Sequence, residues 1–161
     1  MSCIQVLLPA LITNKEQEEM TKKCRKSINS FKHCIKVYED NNKYDTKVAG
    51  VWNNFFKEWV GKDYDYLMIT ANDTILDPLA IDYAIEALEE HPEAGVCTLH
   101  VTRDLEEFKK NFGQYKRSGE LTPNYSSMDP ANFVIKKGVL EKVGLITTHP
   151  MQVLSEMIWI D

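Results

Sequence analysis

The chain switches between two hydrophobic rhythms. Short continuous apolar runs mark strands covered on both faces. They alternate with longer stretches whose apolar positions recur at helical spacing. "CIQVLLPALI" (3–12) is the first run and predicts a buried strand ending near Pro9. "TNKEQEEMTKKCRKSINSF" (13–31) predicts a helix that Thr13 or Asn14 can cap, with acids early and bases late as the macrodipole favours. "CIKVYED" (34–40) is a second strand that closes on two acids. "KVAGVWNNFFKEWVG" (47–61) is a helix whose stripe of Val48, Val51, Trp52, Phe55, Phe56 and Trp59 reads as core. "DYLMITAND" (65–73) is a third strand, and "DPLAIDYAIEALEEHP" (77–92) a helix with Asp77 as its cap and Pro78 in its first turn. "AGVCTLHV" (94–101) is a fourth strand.

Strands alternating with helices in this way specify an α/β domain with a mostly parallel central sheet flanked by helices. Such sheets take ligands in the crevice beyond the carboxyl ends of their strands. The polar residues collect there: Pro9-Ala10 after the first strand, Glu39-Asp40 after the second, Asn72-Asp73 after the third and His100 near the end of the fourth. Beyond 101 the rhythm breaks. Residues 102–131 are polar and irregular, with a short helix expected over 104–112 and a long loop after it. "NFVIKKGVLEKVGLI" (132–146) restarts order as strand, turn and short helix, and "MQVLSEMIWID" (151–161) is expected to be helical.

Composition narrows the function classes. At 161 residues the chain is expected to be one domain, 1–161, whole or cut from a longer protein. The net charge of −5 argues against a general nucleic-acid binder, which needs Lys and Arg to neutralise phosphates. It leaves room for one small phosphate ligand. Cys3, Cys24, Cys34 and Cys97 form no CxxC and no zinc spacing, so they read as reduced, small apolar residues in a cytoplasmic protein. No signal peptide or transmembrane segment is expected, because "CIQVLLPALI" lacks a basic flank and is about half a membrane span long.

Asp73 is the sharpest residue. A carboxylate ending a buried strand is costly to desolvate unless solvent, a cation or donors meet it. Two readings are open. Asp73 is a ligand to a divalent ion bridging a diphosphate, since Mg2+ and Mn2+ take one or two protein carboxylates; or it starts a turn and caps the next helix. Asp40 divides in the same way, between accepting from a nucleobase N–H and turning the chain before Asn41-Asn42. Both acids are expected on neighbouring strands at one edge of the sheet.

"CIQVLLPALI", "CIKVYED", "DYLMITANDTILDP" and "NFVIKKGVLEKVGLI" together resemble the successive landmarks of family 2 glycosyltransferases with the GT-A fold. These enzymes often carry an Asn-Asp-Thr version of the Asp-x-Asp metal motif after an apolar strand. The resemblance implies a nucleotide-binding half (1–101) and an acceptor and catalytic half (102–161). It implies that Pro9 and Ala10 line the nucleobase and Asp40 holds it. Asn53 or Asn54 approaches the donor phosphates, and Asn72 touches the ribose or sugar. Asp73 holds Mn2+ or Mg2+. The first acid of the usual triplet is absent, with Ala71 or Asn72 in its place, so metal affinity is expected to be modest. Glu156 is the expected general base, although Met157 stands where a second acid is usual. His149 is a candidate to complete the metal shell or a solvated loop residue.

The implied activity is metal-assisted, inverting transfer of a sugar from a nucleotide-diphosphate donor, a UDP-sugar by resemblance, to a glycan or other hydroxyl acceptor. Two alternatives stand beside it: a non-catalytic nucleotide-sugar-binding domain of a larger protein, and a flavodoxin-like binding or signalling module. Tyr115 and Tyr125 are read as loop anchors before sugar-stacking faces. His33 and His91 flank helix ends and are assigned no chemistry.

Overall fold

The computed structural model describes residues 2–41, 48–59, 62–99, 106, 109–110 and 132–144. The elements are β1 (Cys3–Pro9), α1 (Lys15–Ser27), β2 (Cys34–Asp40), α2 (Val48–Trp59), β3 (Tyr66–Thr70), α3 (Ala80–Glu90), β4 (Val96–Thr98), β5 (Asn132–Lys136) and α4 (Lys137–Val143). Each lies inside the stretch whose rhythm predicts it, and most are shorter. Of the two candidates, Asn14 caps α1: its Oδ1 accepts from the Gln17 N–H at 2.9 Å. Gln17 reaches back, its Oε1 accepting from both the backbone N–H and the hydroxyl of Thr13. Asp77 Oδ1 accepts from the Leu79 N–H and so organises the turn entering α3. α4 is followed by Gly144, whose φ of +85° suits a residue without a Cβ.

The sheet has the order β2-β1-β3-β5-β4. β1 pairs in parallel with β2 and with β3, whereas β5 runs antiparallel to both β3 and β4. The α/β class therefore holds, but the sheet expected to be mostly parallel is mixed, with two parallel and two antiparallel pairings. The fourth strand does not extend a parallel run; the late segment 132–136 inserts between β3 and β4. β1 also stands between β2 and β3, so the tips carrying Asp40 and Asp73 are not neighbours. Two strand spacings separate them, about 10 Å.

Each sheet face carries its own core. On one, Leu7, Leu67, Ile69, Phe133 and Ile135 pack against Val51, Trp52, Phe55, Phe56 and Trp59 of α2. Most of the apolar stripe expected to be core is therefore buried here; the side chain of Val48 lies outside the described ones. Each such aromatic contributes about 2–3 kcal/mol through the surface it hides. On the other face, Ile4, Val6, Met68 and Val134 pack against Ile81, Ala84, Ile85 and Leu88 of α3. α1 joins that face: Ile28 at its end packs there with Ile35 and Val37, and Arg25 pairs with Glu39 at 3.0 Å. The chain leaving β1 thus goes to one face and the chain leaving β2 to the other. That divergence opens a crevice at the carboxyl ends of β1 and β2. No helix among the described residues is long and apolar enough to cross a membrane.

Candidate functional site

The segment after β3 is held from several sides. Thr70, fully buried, donates its hydroxyl to Asn132 Oδ1 at 2.8 Å. Asn132 opens β5 and is also buried; its Nδ2 donates to the Thr74 hydroxyl at 3.3 Å, and its carbonyl accepts from the Leu99 N–H. From α1, the Cys24 thiol donates to the Ala71 carbonyl at 3.3 Å, and the Thr21 hydroxyl accepts from Asn72 Nδ2 at 3.0 Å. Burial pushes the Cys24 thiol up to about 11, and the nearby Asp73 carboxylate pushes the same way, so the thiol stays protonated and keeps donating. Ser27 accepts from the Leu76 N–H.

Asp73 sits at the crest of this tied loop and is exposed. The turn itself is closed by backbone, with the Thr74 N–H donating to the Ala71 carbonyl. The cap expected at Asp77 is not made: the N-cap position of α3 is Leu79, with no side-chain cap, and Asp77 holds the turn before the helix through the Leu79 N–H. Among the described residues Asp73 accepts no hydrogen bond and pairs with no cation. The second reading of Asp73 therefore holds for the turn, in which it lies, and not for the helix cap. A fixed loop presents a solvated carboxylate at the carboxyl edge of the sheet.

The neighbouring crevice is built by β1 and β2. Pro9 and Asp40 are register partners, and the Ala10 N–H donates to the Asp40 carbonyl at 2.7 Å. Ala10 is buried, and Pro9 and Asp40 are half-buried. Two expected contacts are weakened by the geometry. Asn72 spends its amide N–H on Thr21, which turns it toward α1. Asn53 is 7% exposed and already engaged inside the protein, leaving Asn54 as the exposed member of the pair. Glu156 and His149 lie outside the described residues.

Sequence reasoning missed the buried polar supports. Asn132 reads as the polar start of an apolar run, and its position before "FVIK" is the only sign it shows. Asp82 drew no reading from the sequence, yet it is 1% exposed. It accepts from the Ser30 hydroxyl and from the Phe31 N–H at 3.0 Å, tying the α1–β2 connection to α3. No group of three or more His, Cys, Asp or Glu able to hold a metal exists among the described residues. Asp73 fits an ion that arrives with its own phosphate oxygens and does not form a protein cage. No family model matches the chain, and no curated protein matches it.

Proposed function

We propose that this domain is a GT-A-type glycosyltransferase domain that binds a nucleotide-diphosphate sugar, a UDP-sugar by resemblance, and transfers the sugar to a hydroxyl acceptor with inversion. The observation that carries the reading is Asp73: exposed, without a polar partner among the described residues, on a loop anchored by Cys24, Thr21 and Asn132. Anchoring of that kind keeps a carboxylate aimed at a ligand without reorganisation on binding. The separation of Asp40 from Asp73 by β1 suits a long ligand. The base lies against Pro9, Ala10 and Asp40, and the diphosphate reaches across the end of β1 to Asp73. Asp73 would hold a Mn2+ or Mg2+ ion, which when bound would neutralise charge on the leaving diphosphate. Glu156 takes the acceptor proton as the hydroxyl attacks the anomeric carbon.

The order β2-β1-β3-β5-β4 weighs against the flavodoxin-like alternative, whose parallel order would place the fourth strand beside β3. Calorimetric titration of UDP with and without Mn2+ tests the proposal. Manganese-dependent binding is expected, falling tenfold or more in Asp73→Asn while the unfolding midpoint stays put. Absence of uridine nucleotide binding at millimolar ligand, or undiminished binding in Asp73→Asn, refutes it.

A further inference from the structure

The cysteines read from sequence as four unrelated apolar residues, but β1 and β2 bring two of them together. Cys3 and Cys34 are direct register partners in the parallel pair. In-register residues of adjacent strands project from the same sheet face. Here it is the face of α2, against whose core Cys3 packs. Adjacent strands lie about 4.8 Å apart, inside the roughly 4.4–6.8 Å window of Cα separations that a disulfide spans. Cys34 is exposed and Cys3 half-buried, on the outermost strand pair of the sheet. A hydrogen bond with the Cys34 sulfur, then burial and the Asp65 and Asp63 carboxylates, raise the Cys3 thiol. The other cysteines are not competitors. Cys24 is buried and committed to the Ala71 carbonyl, and Cys97 lies on β4 at the far margin of the sheet.

We propose that Cys3 and Cys34 are a reversible thiol–disulfide site, oxidised by low-molecular-weight disulfides of the glutathione class. The Cys34 thiolate, the accessible one, attacks a sulfur of the small disulfide; that S–S bond breaks and one small thiol leaves. Cys3, deprotonated, then attacks the Cys34 sulfur of the mixed disulfide, and the second small thiol leaves. The two cysteine sulfurs are oxidised by two electrons, the small disulfide is reduced by two, and both protons end on the released thiols. In-register parallel positions lie near the short end of the permitted separation, and strained bridges are the readily reduced ones. The bridge staples the edge strand β2 to β1 at their amino ends, opposite the Asp40 and Asp73 edge.

The test is incubation of the whole chain with oxidised glutathione at pH 8, followed by thiol counting in denaturant and peptide mapping. The count is expected to halve from the four cysteines of the reduced chain, with one monomeric cross-link joining the peptides of Cys3 and Cys34 and full recovery in dithiothreitol. Cys34→Ser is expected to show no internal cross-link, while Cys97→Ser still forms it. A wild-type chain that keeps all its thiols, that cross-links only between molecules, or whose map joins Cys24 or Cys97 instead overturns the proposal. The wild-type map decides the matter even where a variant fails to fold.

Discussion

Replacing Asn132 by Ala probes the support beneath the Asp73 loop. The substitution deletes two neutral hydrogen bonds, one accepted from Thr70 and one donated to Thr74. The two losses are unequal. Thr74 is half-buried, so water replaces the lost donor at small cost. Thr70 is 0% exposed, and without Asn132 its hydroxyl keeps, among the described residues, only the weakly accepting Cys24 sulfur as a side-chain partner. A buried hydroxyl that exchanges an amide oxygen for a sulfur costs about 1–3 kcal/mol, and the second bond adds about 0.5–1. The expected destabilisation is therefore about 1.5–4 kcal/mol, read as a lower urea midpoint at unchanged m-value. Thr70→Val provides the control. With the hydroxyl already gone, Asn132→Ala strands no donor, and its cost in that background is expected to shrink by about 1–2 kcal/mol. Equal costs of Asn132→Ala in both backgrounds, or a loss under about 0.5 kcal/mol in the wild type, would refute the idea that this pair is the buckle of the loop.

Two further expectations concern stability. Asp82→Ala removes the acceptor of Ser30 and Phe31 and is expected to cost about 2–4 kcal/mol, with Asp82→Asn costing less because one acceptor survives; equal midpoints for both variants and wild type would show that the contact is not formed. In alkali, burial holds Cys24 at about 11 against an ordinary 9.0 and Tyr64 at about 12 against 10.0, so the unfolded chain releases these protons first. Stability is then complete below about pH 9 and falls as pH rises toward 12; urea midpoints at pH 8, 10 and 11 check this, and Cys24→Ala, though less stable throughout, is expected to lose less of its stability between pH 9 and 11.

The hydrophobic rhythm was enough to place most elements because burial acts on each segment separately. A run such as "YLMIT" has no exposed face to spare, and all five of its residues are buried. The α2 stripe is legible for the same reason, since helical period and aromatic content already say which side must be hidden. The start of α1 was readable because a local side chain, Asn14, satisfies a local N–H; α3 begins later than Asp77, after Leu79, with no side-chain cap. Asp73 was legible as a residue of interest, but its role hung on whether a nearby amide used it.

What lies between segments is decided by the pairing of distant chain. Nothing local tells "NFVIK" to enter between β3 and β4 and run backwards, because an apolar strand is equally content in either direction. β1's position between the Asp40 and Asp73 tips, the alignment of Cys3 with Cys34, and the burial of Asn132 and Asp82 all follow from that long-range pairing. The sequence alone determined which residues had to leave water. Which of them meet, and therefore which polar groups are spent on one another and which remain to greet a ligand, came from how the strands were ordered.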